Sequence, residues 1–297
     1  MLQGVLLGFV GYALFSCSDA VIKSFSGKLS IFEIAFFVTL FAAIPLVLSR
    51  PKEERWRDFW RPHHPVGVNV RAICGVLGGM CSIYAFTHVP LAEAYALIFL
   101  LPLVVTILSA IFLKEPVGWR RISAVLAGFA GVIIVLRPGF REIELAHLAG
   151  GAVALLGATG MIILRHIAKT ERRTSLVAVG YCYSLTVNGI LMLPTFVMPE
   201  GTIMLRLVAI GCMAGVAQLC TISASRLAPA NMVAPTQYSQ ILWAVTLGAV
   251  FYAEYPDRWT LLGLAVIAVA GLFTFLREEQ RFGWNRGIPV MRNRPGT

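Results

Sequence analysis

Ten runs without a single Asp, Glu, Lys or Arg divide this chain of 297 residues: 1–18, 34–49, 72–92, 94–113, 122–136, 145–164, 174–199, 207–225, 227–253 and 259–276. A helix needs roughly 20 apolar residues to cross about 30 Å of hydrocarbon, and shorter runs gain reach from flanking side chains that snorkel. Hydrophobic residues make up 58% of the chain and charged residues only 13%, too few to cover a water-soluble surface. The expectation is an all-α integral membrane protein with ten transmembrane helices. Little of the chain remains for a soluble domain.

The formal charge of +10 does not point to nucleic acid, because Lys and Arg are scattered rather than gathered on one soluble face. Their sidedness is more informative. With both termini on one side of ten crossings, that side carries nineteen of the 25 basic residues and the other side six. Positive charge stays cytoplasmic, so both termini are expected inside a bacterial-type inner membrane. The first span lacks a basic leader and an A-x-A cleavage site, which argues against a secretory signal. Six cysteines lie within apolar runs without a CxxC pair and read as packing residues. His63 and His64 lack a third ligand and read as solvated, so no metal or cofactor is expected. Neither a GxxxxGK[ST] loop nor an HExxH motif is present, nor a compact carboxylate cluster, which disfavours an ATP motor or a membrane enzyme. Trp56, Phe59 and Trp60 among charged residues suggest a short helix on the membrane surface. The basic tail over residues 277–297 is expected to be disordered, with Trp284 as an interface anchor.

The chain also repeats itself. Pro90 is echoed by Pro229 and Glu115 by Glu254 at one common offset, and Trp119 by Trp259 and Gly131 by Gly271 at an offset longer by a single position. More weakly, Gly4, Gly11 and Lys23 recur at a constant offset of their own as Gly150, Gly157 and Lys169. The echo divides the spans into two sets of five, residues 1–141 and 142–276. An odd number of spans per set forces the two copies to insert upside down relative to each other, the plan of many alternating-access carriers. A central cavity between the two inverted five-helix repeats is the expected place for a small molecule.

The carrying residues are Val89-Pro90-Leu91-Ala92, Pro102-Leu103, Leu113-Lys114-Glu115 and Leu126-Ala127-Gly128 with Gly131-Val132, repeated as Leu227-Ala228-Pro229-Ala230, Ala253-Glu254 and Gly271. This pattern resembles the drug/metabolite transporter superfamily in its EamA-type ten-helix branch. The resemblance spans both halves. It implies two inverted bundles around a cavity, with amino-acid exporters as the most similar subgroup and export of drugs or other amphiphilic metabolites as the alternative; a passive channel or a membrane enzyme fits less well. One departure is that Ile241 stands where the first copy has Pro102. The proline of span nine is Pro235, which leaves the place of any kink there open.

An ionisable residue inside a span is costly and therefore a functional candidate. Tyr12, Ser16, Asp19 and Lys23 share one face of the first helix by their spacing. Asp19 is read either as a coupling or amine-binding site or as half of an i,i+4 ion pair with Lys23. Glu115 and Glu254 are read chiefly as structural groups that bond a neighbouring helix end or pair with Lys114, Arg120 or Arg258. A zwitterion needs fixed polar groups among aromatic rings. Candidates for that lining are Tyr84, Tyr95, Phe99, Gln237, Tyr238 and Trp243, although Tyr and Trp also serve as interface anchors. Gln218, Thr221 and Ser225 of span eight and Gln240 of span nine share the polar character. His88 is a candidate for gating or a solvated helix end. Pro102 and Pro235 are candidates for loosening spans four and nine. Gly75-xxx-Gly79 and Gly211-xxx-Gly215 mark close helix contacts. The expected partners are a small-molecule substrate and the lipid bilayer, with the protein a monomer or weak dimer.

Overall fold

The computed structural model describes residues 2–49, 62–114, 118–139, 142–167, 171, 173–228 and 230–284. Glu115, Lys169, Pro229 and the segment with Trp56, Phe59 and Trp60 lie outside those residues. The described chain is all helical: α1 Leu2–Lys23, α2 Ile31–Leu48, α3 Pro65–His88, α4 Leu91–Ile98, α5 Leu101–Phe112, α6 Trp119–Leu136, α7 Leu145–Ile167, α8 Arg173–Met192, α9 Gly201–Leu227, α10 Ala230–Val233, α11 Ser239–Tyr252 and α12 Arg258–Trp284. Among the described residues, seven spans are long and apolar enough to cross a membrane, counting α4 with α5 as one. Shorter apolar stretches, Ile122–Leu136 and Arg258–Phe273, lie in α6 and α12.

Local sequence explains several boundaries. Ser30 begins α2 with a reciprocal capping box, in which its Oγ accepts from the Glu33 N–H and the Glu33 carboxylate accepts from the Ser30 N–H at 2.7 Å. Pro65 opens α3, where its fixed φ suits the first turn and its missing N–H costs nothing. The helix expected to end near Leu276 instead continues to Trp284. Glu278, Glu279 and Gln280 are good helix formers with no Gly or Pro among them, so the last span carries on where a tail was expected.

The helices pack as long pairs: α1 and α2 against α9, α3 against α7 and α8, and α6 against α12. Glycines permit the closest approaches. A Cβ on Gly211 would lie 2.5 Å from the Phe41 Cβ and one on Gly215 would lie 2.6 Å from the Ala42 oxygen, so α2 seats directly on α9. Gly131 and Gly263 do the same for α6 and α12, each facing the other's carbonyl. Around Gly75 and Gly79 there is open space, so this second small-residue pair makes no close contact among the described residues.

Polar contacts gather at helix ends. On one face, Lys23 meets Glu254 at 2.6 Å, Arg137 meets Asp257 at 2.5 Å, His147 meets Glu93 at 3.2 Å, and the Val197 N–H donates to Glu33 at 3.2 Å. On the opposite face, the His64 N–H donates to Glu171 at 2.9 Å. Each of the four contacts on the Lys23 face joins a residue of 1–141 to a residue of 142–276.

Candidate functional site

Two spans are broken in mid-course. The α4 helix stops at Ile98, and α5 starts at Leu101 with Pro102 in its first turn. In the second half, the short α10 leads into a 3-10 turn, Ala234–Tyr238, which contains Pro235, before α11 begins. The kink of span nine therefore falls at Pro235 and not at Ile241. Proline removes a backbone donor, and neighbouring hydroxyls occupy the carbonyls near the break. Thr236 Oγ1 donates to the Val233 oxygen at 2.5 Å and Ser239 Oγ to the Thr236 oxygen at 2.6 Å.

The two breaks touch. The Phe99 ring stacks on Tyr238 with centroids 5.1 Å apart. One turn earlier, Tyr95 is 2% exposed and lies between the Phe86 and Phe99 rings at 5.4 and 6.2 Å. Its hydroxyl donates to Asp19 Oδ2 at 2.5 Å, lies 3.3 Å from Ser16 Oγ, and accepts from Gln240 Nε2 at 3.3 Å. Three helices thus converge on one phenol: α1 brings Asp19 and Ser16, α4 brings Tyr95, and α11 brings Gln240. Tyr238 is fixed from behind by Gly271, where any side chain would occupy the space of its hydroxyl.

The ion pair between Asp19 and Lys23 does not form. Lys23 Nζ instead lies 2.6 Å from Glu254 and donates to the Val89 oxygen at 2.6 Å. Among the described residues, Asp19 makes no ion pair, and its carboxylate is held by the Tyr95 hydroxyl. Such an arrangement can receive a cation: either a proton or an ammonium group would neutralise a carboxylate whose charge is costly within a span. Glu254 has the structural duty expected of it, but its cation is Lys23 and not Arg258, and the helix end it bonds is the Leu91 N–H of α4 at 3.0 Å.

Other candidates stand apart from this group. The Tyr84 and His88 rings lie 4.1 Å apart, and the imidazole Nδ1 bonds the Tyr84 main-chain oxygen and Thr87, contacts within their own helix. Thr221 and Ser225 likewise donate to carbonyls of their own helix. Trp243 is 38% exposed, and Gln237 is half-buried in the 3-10 turn without joining the Tyr95 group. The contact between Glu93 and His147 was not foreseen. Its signal was the lone acid that separates two charge-free runs, 72–92 and 94–113.

A helical bundle with paired broken spans and a polar centre among aromatic rings defines a multi-pass membrane transporter. Residues 2–137 match the model of the EamA-like transporter family. The chain is 28% identical over 221 residues to a riboflavin transporter of Vibrio cholerae, covering 74% of each protein. It is 28% identical to the pseudopaline exporter CntI of Pseudomonas aeruginosa, covering 90% of this chain and 94% of that one. It is also similar to an S-adenosylmethionine uptake transporter of Rickettsia felis, at 25% identity over 89% and 90% of the two chains. A solved crystal structure of 19% identity shares the fold with a TM-score of 0.65, covering 94% of this chain and 98% of that one. The matched family model and the named relatives point to a multi-pass membrane transporter and not to an enzyme.

Proposed function

We propose that the chain is a secondary carrier that moves small amphiphilic metabolites, amino acids with apolar or aromatic side chains foremost, out of the cell by alternating access around the Tyr95 group. The observation that carries this reading is the Asp19 carboxylate, held by a phenol and flanked by aromatic rings, with no cation of the described chain upon it. An amino-acid ammonium supplies that cation, and the Phe86, Phe99 and Tyr238 rings offer apolar surface beside it for an aromatic side chain. Asp19 also serves as the coupling group when a proton takes the place of the ammonium. The likeness of the repeat motifs to amino-acid exporters supports the outward direction.

The two halves are read as inverted repeats, 1–141 and 142–276, that rock against each other. Several independent features support this. The pairing of α1 with α9 has its counterpart in α7 with α3, that of α2 with α9 in α8 with α3, and α6 pairs with α12 as its own counterpart. Lys114 and Ala253, which correspond at the offset that relates Pro90 to Pro229, both adopt the left-handed backbone conformation at φ 52°. Phe99 and Tyr238 correspond at the same offset and are the rings that stack. The end of α1 and the start of α7 lie on the same face, as an odd number of crossings per half requires. The excess of basic residues makes the Lys23 face external and both termini cytoplasmic.

A second reading, transport of riboflavin-like or other amphiphilic metabolites, is favoured by the relatives' names. Counterflow in proteoliposomes across a panel of amino acids, nucleosides, flavins and cationic drugs separates the two. The first reading expects saturable counterflow of aromatic and apolar amino acids, reduced at least about tenfold by Tyr95→Ala. Substrates confined to flavins or drugs would replace it with the second. A flux that never saturates would make the protein a channel.

A further inference from the structure

The group that takes Lys23 away from Asp19 joins three helix ends on the external face. We infer that Lys23 and Glu254 form a latch that holds this face closed by gripping the main chain of the turn between α3 and α4. The inference rests on the alternating-access reading and adds the device that shuts one side.

The geometry is that of a clasp. Lys23 Nζ lies 2.6 Å from Glu254 Oε1 and donates at 2.6 Å to the Val89 oxygen, the last carbonyl before Pro90. The other oxygen of the same carboxylate accepts the Leu91 N–H at 3.0 Å, on the far side of that proline. A lysine from α1 and a glutamate from the end of α11 therefore hold one main-chain turn from both sides. The carboxylate lies at the N-terminus of α4, where the helix dipole favours negative charge. Beside the clasp, Ser26 Oγ donates to the Thr87 oxygen at 2.8 Å and the Tyr252 hydroxyl donates to the Ala20 oxygen. The two charged side chains are only 11% and 21% exposed, so water screens them little and removing one leaves the other poorly compensated.

Glu254 is positioned for this by the end of its helix. Ala253 takes the left-handed conformation at φ 52°, and the Glu254 N–H returns to the Gly248 oxygen at 3.0 Å. A cavity of about 190 Å³ beside the clasp is lined by Pro90, Ala92, Ala244, Gly248 and Glu254, among others. Ala244 stands one turn from Gln240 on the same face of α11, and Ala92 stands three residues before Tyr95 on α4. The cavity is thus a vestibule one helical turn from the Tyr95 group. The latch joins two of the helices that form its walls, α4 and α11, and it must part before the Tyr95 group opens outward.

The test reads opening without a substrate. Ala244 is 1% exposed, and Ala244→Cys in a protein with all six native cysteines replaced gives one reporter in the vestibule. Its rate of alkylation by a water-soluble maleimide is measured in detergent, where both faces are accessible. Lys23→Met and Glu254→Gln are each expected to raise that rate at least about tenfold. The double variant is expected to exceed either by no more than about threefold, because the two side chains act as a unit. Lys23→Arg, which keeps the charge, is expected to stay close to the parent. Where a single variant does not fold, the double variant leaves no orphaned charge and reads the latch by itself. A double variant labelled at the parental rate overturns the latch, even if counterflow is intact and the carrier reading stands. Single effects that multiply in the double variant overturn it as well.

Discussion

Lys23 had two carboxylates within its chemistry to choose from and took the distant one. Asp19 is four residues away on the same helix, but its short side chain points into the bundle, where the Tyr95 hydroxyl meets it at 2.5 Å. Glu254 offers one oxygen to the ammonium while the adjacent Val89 carbonyl takes a second of its protons. Helical spacing cannot reveal such a partner, because the turn that presents Glu254 is set by the fold of the other half. The same holds for Asp257, which caps α12 by accepting the Thr260 N–H at 2.9 Å and also meets Arg137 at 2.5 Å. The Thr260 N–H foremost, with Arg137 beside it, holds the Asp257 carboxyl down to about 2. A carboxyl depressed in the folded state contributes its stability above its unfolded value, near 3.9, and loses it as pH falls toward about 2. The expected outcome for Asp257→Asn, which keeps the cap but discards the charge, is a thermal midpoint in detergent that falls less than the parent's between about pH 4 and pH 2. An equal fall in both would deny Asp257 a part in acid sensitivity.

Within single elements, much was legible. The ten charge-free runs follow from composition alone, and Pro102 and Pro235 marked both broken spans. What sequence could not rank was which polar side chains converge. Tyr84, Tyr95 and Trp243 are equally amphipathic in isolation, and only the crossing of α4 with α11 gathers Tyr95 while leaving Trp243 38% exposed. The two glycine pairs carry the same lesson, since Gly211 and Gly215 receive α2 and, among the described residues, nothing closes on Gly75 and Gly79. Gly215→Leu should therefore force α2 from α9 at an overpacking cost of roughly 1–3 kcal/mol. The expected readout is a thermal midpoint in detergent several degrees lower for Gly215→Leu, with Gly75→Ala unchanged or slightly higher. A reversed order would show that α9 is not the seat of α2.

At the scale of the whole molecule, the proposed inverted repeat, with its odd number of spans per copy, predicts that Lys114 and Arg258 lie on opposite faces, with Arg258 external by the distribution of basic residues. Single cysteines at these two positions are expected to react with an impermeant thiol reagent from opposite sides of oriented vesicles; reaction from one side alone would contradict inversion. The two broken spans touch at Phe99 and Tyr238, and Asp19 meets Tyr95 beside them. The central claim is that this carboxylate is the group that substrate or proton must neutralise for the carrier to turn over. Counterflow of an aromatic amino acid in proteoliposomes, compared between the parent and Asp19→Asn at equal reconstitution and with matching thermal midpoints, tests it most directly. We predict a loss of at least about tenfold together with loss of any dependence on a pH gradient, and a folded Asp19→Asn carrier with parental counterflow and parental pH dependence would contradict the account.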